Sequence, residues 1–222
     1  MKMELLHTAH VPSGDGKFPT VLALHGWGAS AHDLLGLSTV LHRGKALVIC
    51  PEGPLTVPIG QGITGHGWFP LADGGQVAID DVHRATDLVA RFLDEMVERY
   101  PVDPRKTIIL GFSQGGVISY DLALRDPERF AGLVALSSWL PDALSDGLSS
   151  SGFVDLPTYV VHGTEDPLLP VERGRHSRDK LLELGVPTTY REYEMQHEIK
   201  PEALKDLVQW LEEKVFQPIL LT

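Results

Sequence analysis

The sequence is short of the features that mark several large protein classes. A single cysteine, Cys50, stands among 222 residues, which excludes an intramolecular disulfide and any zinc site built from several thiolates. It ends the apolar run Ala46 to Cys50 and reads as a core residue. No stretch approaches the roughly 20 consecutive apolar residues that a membrane-spanning helix needs. Basic residues are also scarce. Lys and Arg number 19 against 30 Asp and Glu, a formal charge of -11, and no cluster of them offers a nucleic-acid backbone or an anionic headgroup a place to bind. Neither nucleic acid nor integral membrane association is expected. The first ten residues, MKMELLHTAH, lack the apolar stretch and small-residue cleavage site of a secretion signal, so a cytoplasmic location is expected. His25, His32 and the group Asp80-Asp81-x-His83 offer metal-ligating types without H-E-x-x-H or a comparable spacing, and no metal is expected.

What is present is a folded composition. Hydrophobic residues make up 43% and charged residues 22%, enough apolar surface for one sizeable core, and a single domain over residues 1–222 is expected. Short apolar runs rich in β-branched residues, Thr20 to Leu24, Ala46 to Cys50, Thr107 to Leu110, Leu133 to Leu136 and Tyr159 to Val161, alternate with stretches of helical period. That pattern predicts an α/β fold with a mostly parallel central sheet and helices on both faces. Thr188 to Tyr193 alternates and reads as a half-exposed strand near the sheet edge. Over Val77 to Tyr100, Ala78, Val82, Ala85, Val89, Phe92 and Met96 stripe one face of a long helix that Pro101 stops. Ser30 and Asp33 read as an N-cap box before Leu34. Pro201 opens a last helix with Leu204, Leu207, Val208, Leu211 and Val215 inward and Trp210 packed. Pro51 to Gly75 and Pro141 to Leu156, the latter with Ser149 to Ser151 in a row, read as long loops. In an α/β sheet the ligand sits beyond the carboxyl ends of the strands, so these two segments are expected to border a substrate cleft.

The chemistry is concentrated in Gly111-Phe112-Ser113-Gln114-Gly115, a G-x-S-x-G placed between a predicted strand and a predicted helix. That context is what a nucleophile elbow requires. A serine hydroxyl is a weak nucleophile near neutral pH and needs a base held in the right tautomer by an acid. His176 and His197 both follow Ser113 and a plausible acid. His176 falls within a helical stretch facing solvent, whereas His197 lies in a short loop between the edge strand and the last helix. Asp166, in the loop after Tyr159 to Val161, is the expected acid, with Glu165 its competitor. Asp121, Asp126, Asp142, Asp155 and Asp179 read as surface charges. An oxyanion site needs two backbone N–H groups. Gln114, directly after the serine, supplies one, and Trp27 in His25-Gly26-Trp27-Gly28 supplies the other, with His25 bracing that loop.

LHGWGAS, GFSQGG, HGTEDPLLP and MQHEI, in this order, resemble the small carboxylesterase, lysophospholipase and acyl-protein thioesterase family of the α/β-hydrolase fold, from about Val21 to Leu211. The loop segments PEGP, GWFP and LSSWLP resemble the family's acyl-groove borders. The resemblance implies a cofactor-free serine carboxylesterase acting on monoacyl esters, with Ser113, Asp166 and His197 as triad and Trp27 and Gln114 as oxyanion donors. Acyl-protein thioesterase or lysophospholipase activity on the same triad is the alternative, and a non-catalytic hydrolase-like ligand-binding protein a further one. The sequence departs from the family's pattern at Gln196, usually Gly, at Trp27, usually aliphatic, and at Glu52, usually small. Trp27, Trp68, Phe69, Trp139, Leu140 and Leu168 all fall on predicted loops at one rim and are expected to wall the acyl site. Crowding by the indoles favours short to medium acyl chains. Monomer and homodimer both remain open, and the apolar tail Phe216 to Leu221 offers a contact surface or a segment packed back on the domain.

Overall fold

Seven of the strands form one sheet, ordered β1-β3-β2-β6-β7-β8-β9. The computed structural model describes residues 5–60, 62–71, 77–148 and 152–216. In chain order the strands of this sheet are β1 (His7–His10), β2 (Phe18–Leu24), β3 (Leu47–Pro51), β6 (Val102–Phe112), β7 (Gly132–Leu136), β8 (Thr158–Gly163) and β9 (Thr188–Tyr193). Only β1 runs antiparallel, against β3, while the other neighbours are parallel. Helices α1 (Ile79–Arg99), α2 (Gln114–Arg125), α3 (Asp142–Ser145), α4 (Val171–Glu183) and α5 (Pro201–Leu211) complete the chain.

The unbroken apolar runs follow from burial on both sides. Alternate residues along each strand enter different cores, because successive side chains point to opposite faces. Leu22, Leu24, Leu47, Ile49, Ile109 and Leu133 pack with α1 and α2 residues such as Val89, Phe92, Met96 and Val117. Val21, Ala23, Val48, Ile108, Leu110 and Val134 pack with Leu207, Trp210 and Leu211 of α5. Cys50 belongs to this second core, and burial pushes its thiol up to about 12. The stripe expected on α1 is buried at Val82, Ala85, Val89, Phe92 and Met96, and Ala78 is its N-cap. The chain turns extended at Tyr100, as the residue before a proline must.

The expectations for the connecting segments need correction. Pro51 to Gly75 is not a long loop: it holds an antiparallel hairpin of β4 (Leu55–Gly60) and β5 (Ile63–Gly67), with residues 61 and 72–76 outside the described residues. In Pro141 to Leu156 a helical turn, α3, comes first, and Leu144, Phe153 and Leu156 bury into the first core. Ser149, Ser150 and Ser151 lie outside the described residues. The Ser30 box precedes a 3-10 segment, Leu35–Thr39, instead of an α-helix. Its Gly36 and β-branched Thr39 and Val40 are poor helix formers. Of the tail, Phe216 packs into the second core, with its ring 4.7 Å from that of His42, and residues 217–222 fall outside the described residues.

From β2 the chain moves to β3 on one side, then returns through α1 to β6 on the other. The crevice at such a reversal is where α/β sheets place their ligands. It lies between the carboxyl ends of β2 and β6, and hence between the turns carrying Trp27 and Ser113.

Truncation of Phe92, which is fully buried in the first core, is expected to cost about 3–5 kcal/mol of unfolding free energy. Val97→Ala on the exposed side of the same helix should stay within about 0.5 kcal/mol of wild type. Urea denaturation of both variants checks the assignment of the buried face.

Candidate active site

Ser113 sits in the turn from β6 into α2 at φ 52 and ψ -118, a conformation costing on the order of 1–3 kcal/mol for a residue with a side chain. The surroundings hold it there. The Ser113 N–H donates to Leu136 O of β7 at 2.9 Å, and its carbonyl accepts the Gly116 N–H at 2.9 Å and the Ser138 hydroxyl at 2.7 Å. The two flanking glycines are required by space. A Cβ on Gly111 would strike the backbone of Gly115, and one on Gly115 would strike the carbonyls of Leu24 and His25 at the end of β2.

Asp166 and His197 come from the loops after β8 and β9. Asp166, in the loop after β8, has a fully buried side chain, and its Oδ2 accepts the His197 Nδ1–H at 2.7 Å. Its Oδ1 accepts the N–H groups of Leu168 and Leu169, both at 2.9 Å. His162, at the end of β8, donates from Nε2 to Leu169 O at 2.8 Å and ties down the same loop. The histidine loop is stitched to the acid loop by Thr164 N–H to Tyr193 O and Glu165 N–H to Met195 O. With Nδ1 committed to Asp166, His197 Nε2 is left as the acceptor, the tautomer a general base needs. Glu165 is exposed, and His176, on α4, bonds Asp142 Oδ1 at 2.6 Å instead. Gln196 is exposed and does not occupy a positive φ, so replacement of glycine there imposes no backbone strain.

Ser113, His197, Trp27, Gln114, Trp139 and Leu168 line one cavity of about 780 Å³. Among the described residues, neither the Trp27 nor the Gln114 N–H donates to a backbone carbonyl. The loop that carries Trp27 is braced by the hairpin. Gly28 N–H donates to His66 O, and His66 N–H to Ala29 O, both at 2.8 Å. His25 receives the Gly53 N–H on Nε2 at 2.9 Å and donates from Nδ1 to Gly26 O at 2.7 Å.

Three residues expected in the acyl wall lie elsewhere. Trp68 and Phe69 are buried in the first core, as is Leu140. Being apolar, they are stabilised more by the interior than by a solvated rim, and their backbone groups meet specific partners. Trp68 N–H donates to Gln114 Oε1 and Gln114 Nε2 donates to Phe69 O, both at 2.7 Å, while Leu140 N–H donates to Ser177 Oγ. The buried Gln114 side chain thus clamps the hairpin to the start of α2. Lining residues that the sequence reading missed include Asp33, Leu71 and Arg173. Asp33 reads in the sequence only as part of a cap, Leu71 and Arg173 belong to no motif, and only the tertiary arrangement brings the three to the cavity.

Burial lowers the pKa of His25 below its ordinary 6.5. The unfolded state therefore takes up the proton first, and the contribution of His25 to stability is present above 6.5 and lost as pH falls through the lower folded value. Protonation would also remove the acceptor for Gly53 N–H. Thermal unfolding is expected to shift downward on acidification below about pH 6.5, and the shift should shrink in His25→Gln. An equal shift in both proteins would remove His25 as its source.

The chain is similar over most of its length to proteins of one kind. Acyl-protein thioesterase 1 of Gibberella zeae is 27% identical over 229 residues, covering 92% of this chain and 94% of its own. Acyl-protein thioesterase 1 of Cryptococcus neoformans var. neoformans is 31% identical over 218 residues, covering 87% and 91%. Among solved structures, esterase PE8 has the same fold at TM-score 0.82 and 23% identity, covering 95% of this chain and 99% of its own. A Bacillus cereus carboxylesterase aligns at TM-score 0.81 and 20% identity, covering 95% of each. A family model for phospholipase/carboxylesterase matches residues 7–215, and the chain belongs to that family of α/β-hydrolases.

Proposed function

We propose that the protein is a serine carboxylesterase that hydrolyses monoacyl esters through an acyl-enzyme on Ser113. The observation that carries this reading is the buried Asp166 carboxylate bonded at 2.7 Å to His197 Nδ1, in one cavity with a serine held at the strained elbow. Ser113 Oγ attacks the carbonyl carbon as His197 Nε2 takes its proton. The developing oxyanion accepts the N–H groups of Trp27 and Gln114. Collapse expels the alcohol, which receives the proton from His197, and water repeats the sequence to release the acid. Asp166 stays ionised and stabilises the imidazolium. No cofactor or metal enters the scheme, and the substrate is a small acyl ester.

Thioester hydrolysis is the second reading, favoured by the two relatives named acyl-protein thioesterase 1. The chemistry is the same, and the leaving group is a thiol. Trp27 and Trp139 line the cavity, and the bulk of these indoles is the ground for expecting short to medium acyl chains over palmitoyl.

Ser113→Ala is expected to lower ester turnover by roughly ten-thousandfold or more, with an unchanged unfolding midpoint and loss of labelling by a fluorophosphonate probe. Near wild-type hydrolysis by this variant would refute the nucleophile. Asp166→Asn should reduce kcat by about a thousandfold to ten-thousandfold. Across p-nitrophenyl esters from acetate to palmitate, kcat/KM is expected to peak at short to medium chains, and a maximum at palmitate would refute crowding by the indoles. A matched thioester series run alongside separates the two leaving groups.

A further inference from the structure

One charged lining residue has no part in the chemistry above. Arg173 lies in the first turn of α4, seven residues beyond Asp166, and its side chain is exposed to the cavity that holds Ser113. The other arginines of this helix are satisfied within the protein. Arg175 donates to both oxygens of Glu192, at 2.7 and 2.8 Å, and Arg178 pairs with Asp179 at 2.8 Å. Among the described residues the Arg173 guanidinium enters no hydrogen bond or ion pair. Asp142 feels its charge but is itself held by His176 at 2.6 Å. In a chain of net charge -11, a guanidinium directed at the substrate space rather than at a neighbouring carboxylate is set against the general trend of the surface.

The sheet order fixes where this charge stands. Ser113 follows β6, whereas α4 follows β8, two strands further along the sheet. Both side chains line the same cavity, so the cation stands to the β8 side of Ser113. The cavity's carboxylate, Asp33, follows β2 on the other flank, and its charge is felt by His25 and Cys50 on that side. The cavity is therefore bipolar, with the nucleophile between a negative and a positive end. A planar guanidinium with unused donors matches a carboxylate or phosphate in two-point geometry.

We propose that Arg173 determines specificity by docking an anionic group, carboxylate or phosphate, carried by the substrate at the end remote from its scissile carbonyl. The inference deepens the esterase reading and rests on it. Binding the anion at Arg173 lays the intervening chain across the mouth of the elbow and leaves the carbonyl at Ser113.

Two matched pairs test this and distinguish the sources of the anion. Monomethyl suberate against dimethyl suberate places a carboxylate on the acyl side. 1-Octanoylglycerol 3-phosphate against 1-octanoylglycerol places a phosphate on the alcohol side. Binding is measured by calorimetry to Ser113→Ala, so that the result does not depend on turnover. The anionic member of at least one pair is expected to bind about tenfold tighter than its neutral partner. Adding Arg173→Gln should erase that ratio, and Arg173→Lys should keep part of it. In the protein with Ser113 intact, Arg173→Gln should raise KM for the anionic ester relative to the neutral one while leaving the ratio of their kcat values in place. An anionic-to-neutral ratio indifferent to residue 173 in both pairs overturns the proposal. Arg173-dependent binding in a protein that cleaves none of these esters would instead overturn the esterase reading and leave the anion site standing.

Discussion

The site depends on one backbone conformation that a serine does not adopt by preference. Ser113 at φ 52 is tolerated because its amide and carbonyl are bonded to Leu136, Gly116 and Ser138, and because Gly111 and Gly115 let β6, α2 and the end of β2 approach without a side chain between them. The bonds to Leu136 and Ser138 and the close approach of Leu24 and His25 come from distant parts of the chain, so the strain at Ser113 is offset by the packing of three neighbouring strands. The same packing that turns the hydroxyl toward the cavity brings the Gln114 N–H alongside the Trp27 loop. In the proposed mechanism, nucleophile and oxyanion site are two results of one turn.

Asp166 and His197 follow a different logic. Their loops leave β8 and β9 and are bonded to each other before they reach the serine. Asp166 uses one carboxylate oxygen to order its own loop and the other to hold His197. His162 adds a third fastening to Leu169 O. This arrangement fixes the tautomer of His197 by backbone geometry rather than by the chance position of a mobile side chain.

The strand cores were legible in the sequence because both faces of the sheet are buried, which leaves unbroken apolar runs such as Val21 to Leu24 and Leu133 to Leu136. Ser113 and Asp166 could be singled out as triad candidates because each follows such a run in a recognisable turn, and His197 because it follows the alternating edge strand Thr188–Tyr193. The β4 and β5 hairpin was not. Pro58, Gly60, Gly62, Gly65 and Gly67 break the β-propensity that would announce it, and Gly65 is set against the Gly28 carbonyl of a loop far away in the chain. Trp68, Phe69 and Leu140 were assigned to the rim because their segments look like loops. Which side of a loop faces the interior is decided by partners such as Gln114 and Ser177, and no local pattern carries that information. Arg173 was hidden for a similar reason, since an arginine on a charged helix has no sequence mark that separates it from Arg175 or Arg178.

The sheet order also bears on how the molecule comes into being. The Trp27 loop and the Ser113 elbow are encoded by residue 115, while Asp166 and His197 are encoded after β7 has been made. In the proposed mechanism, a chain emerging amino terminus first therefore presents Ser113 before the histidine that takes its proton. Until the last strands dock, that hydroxyl is no more nucleophilic than one in free solution. On that mechanism, vectorial synthesis keeps the half-built protein chemically silent, with reactivity arriving only as the carboxyl-terminal third closes the sheet.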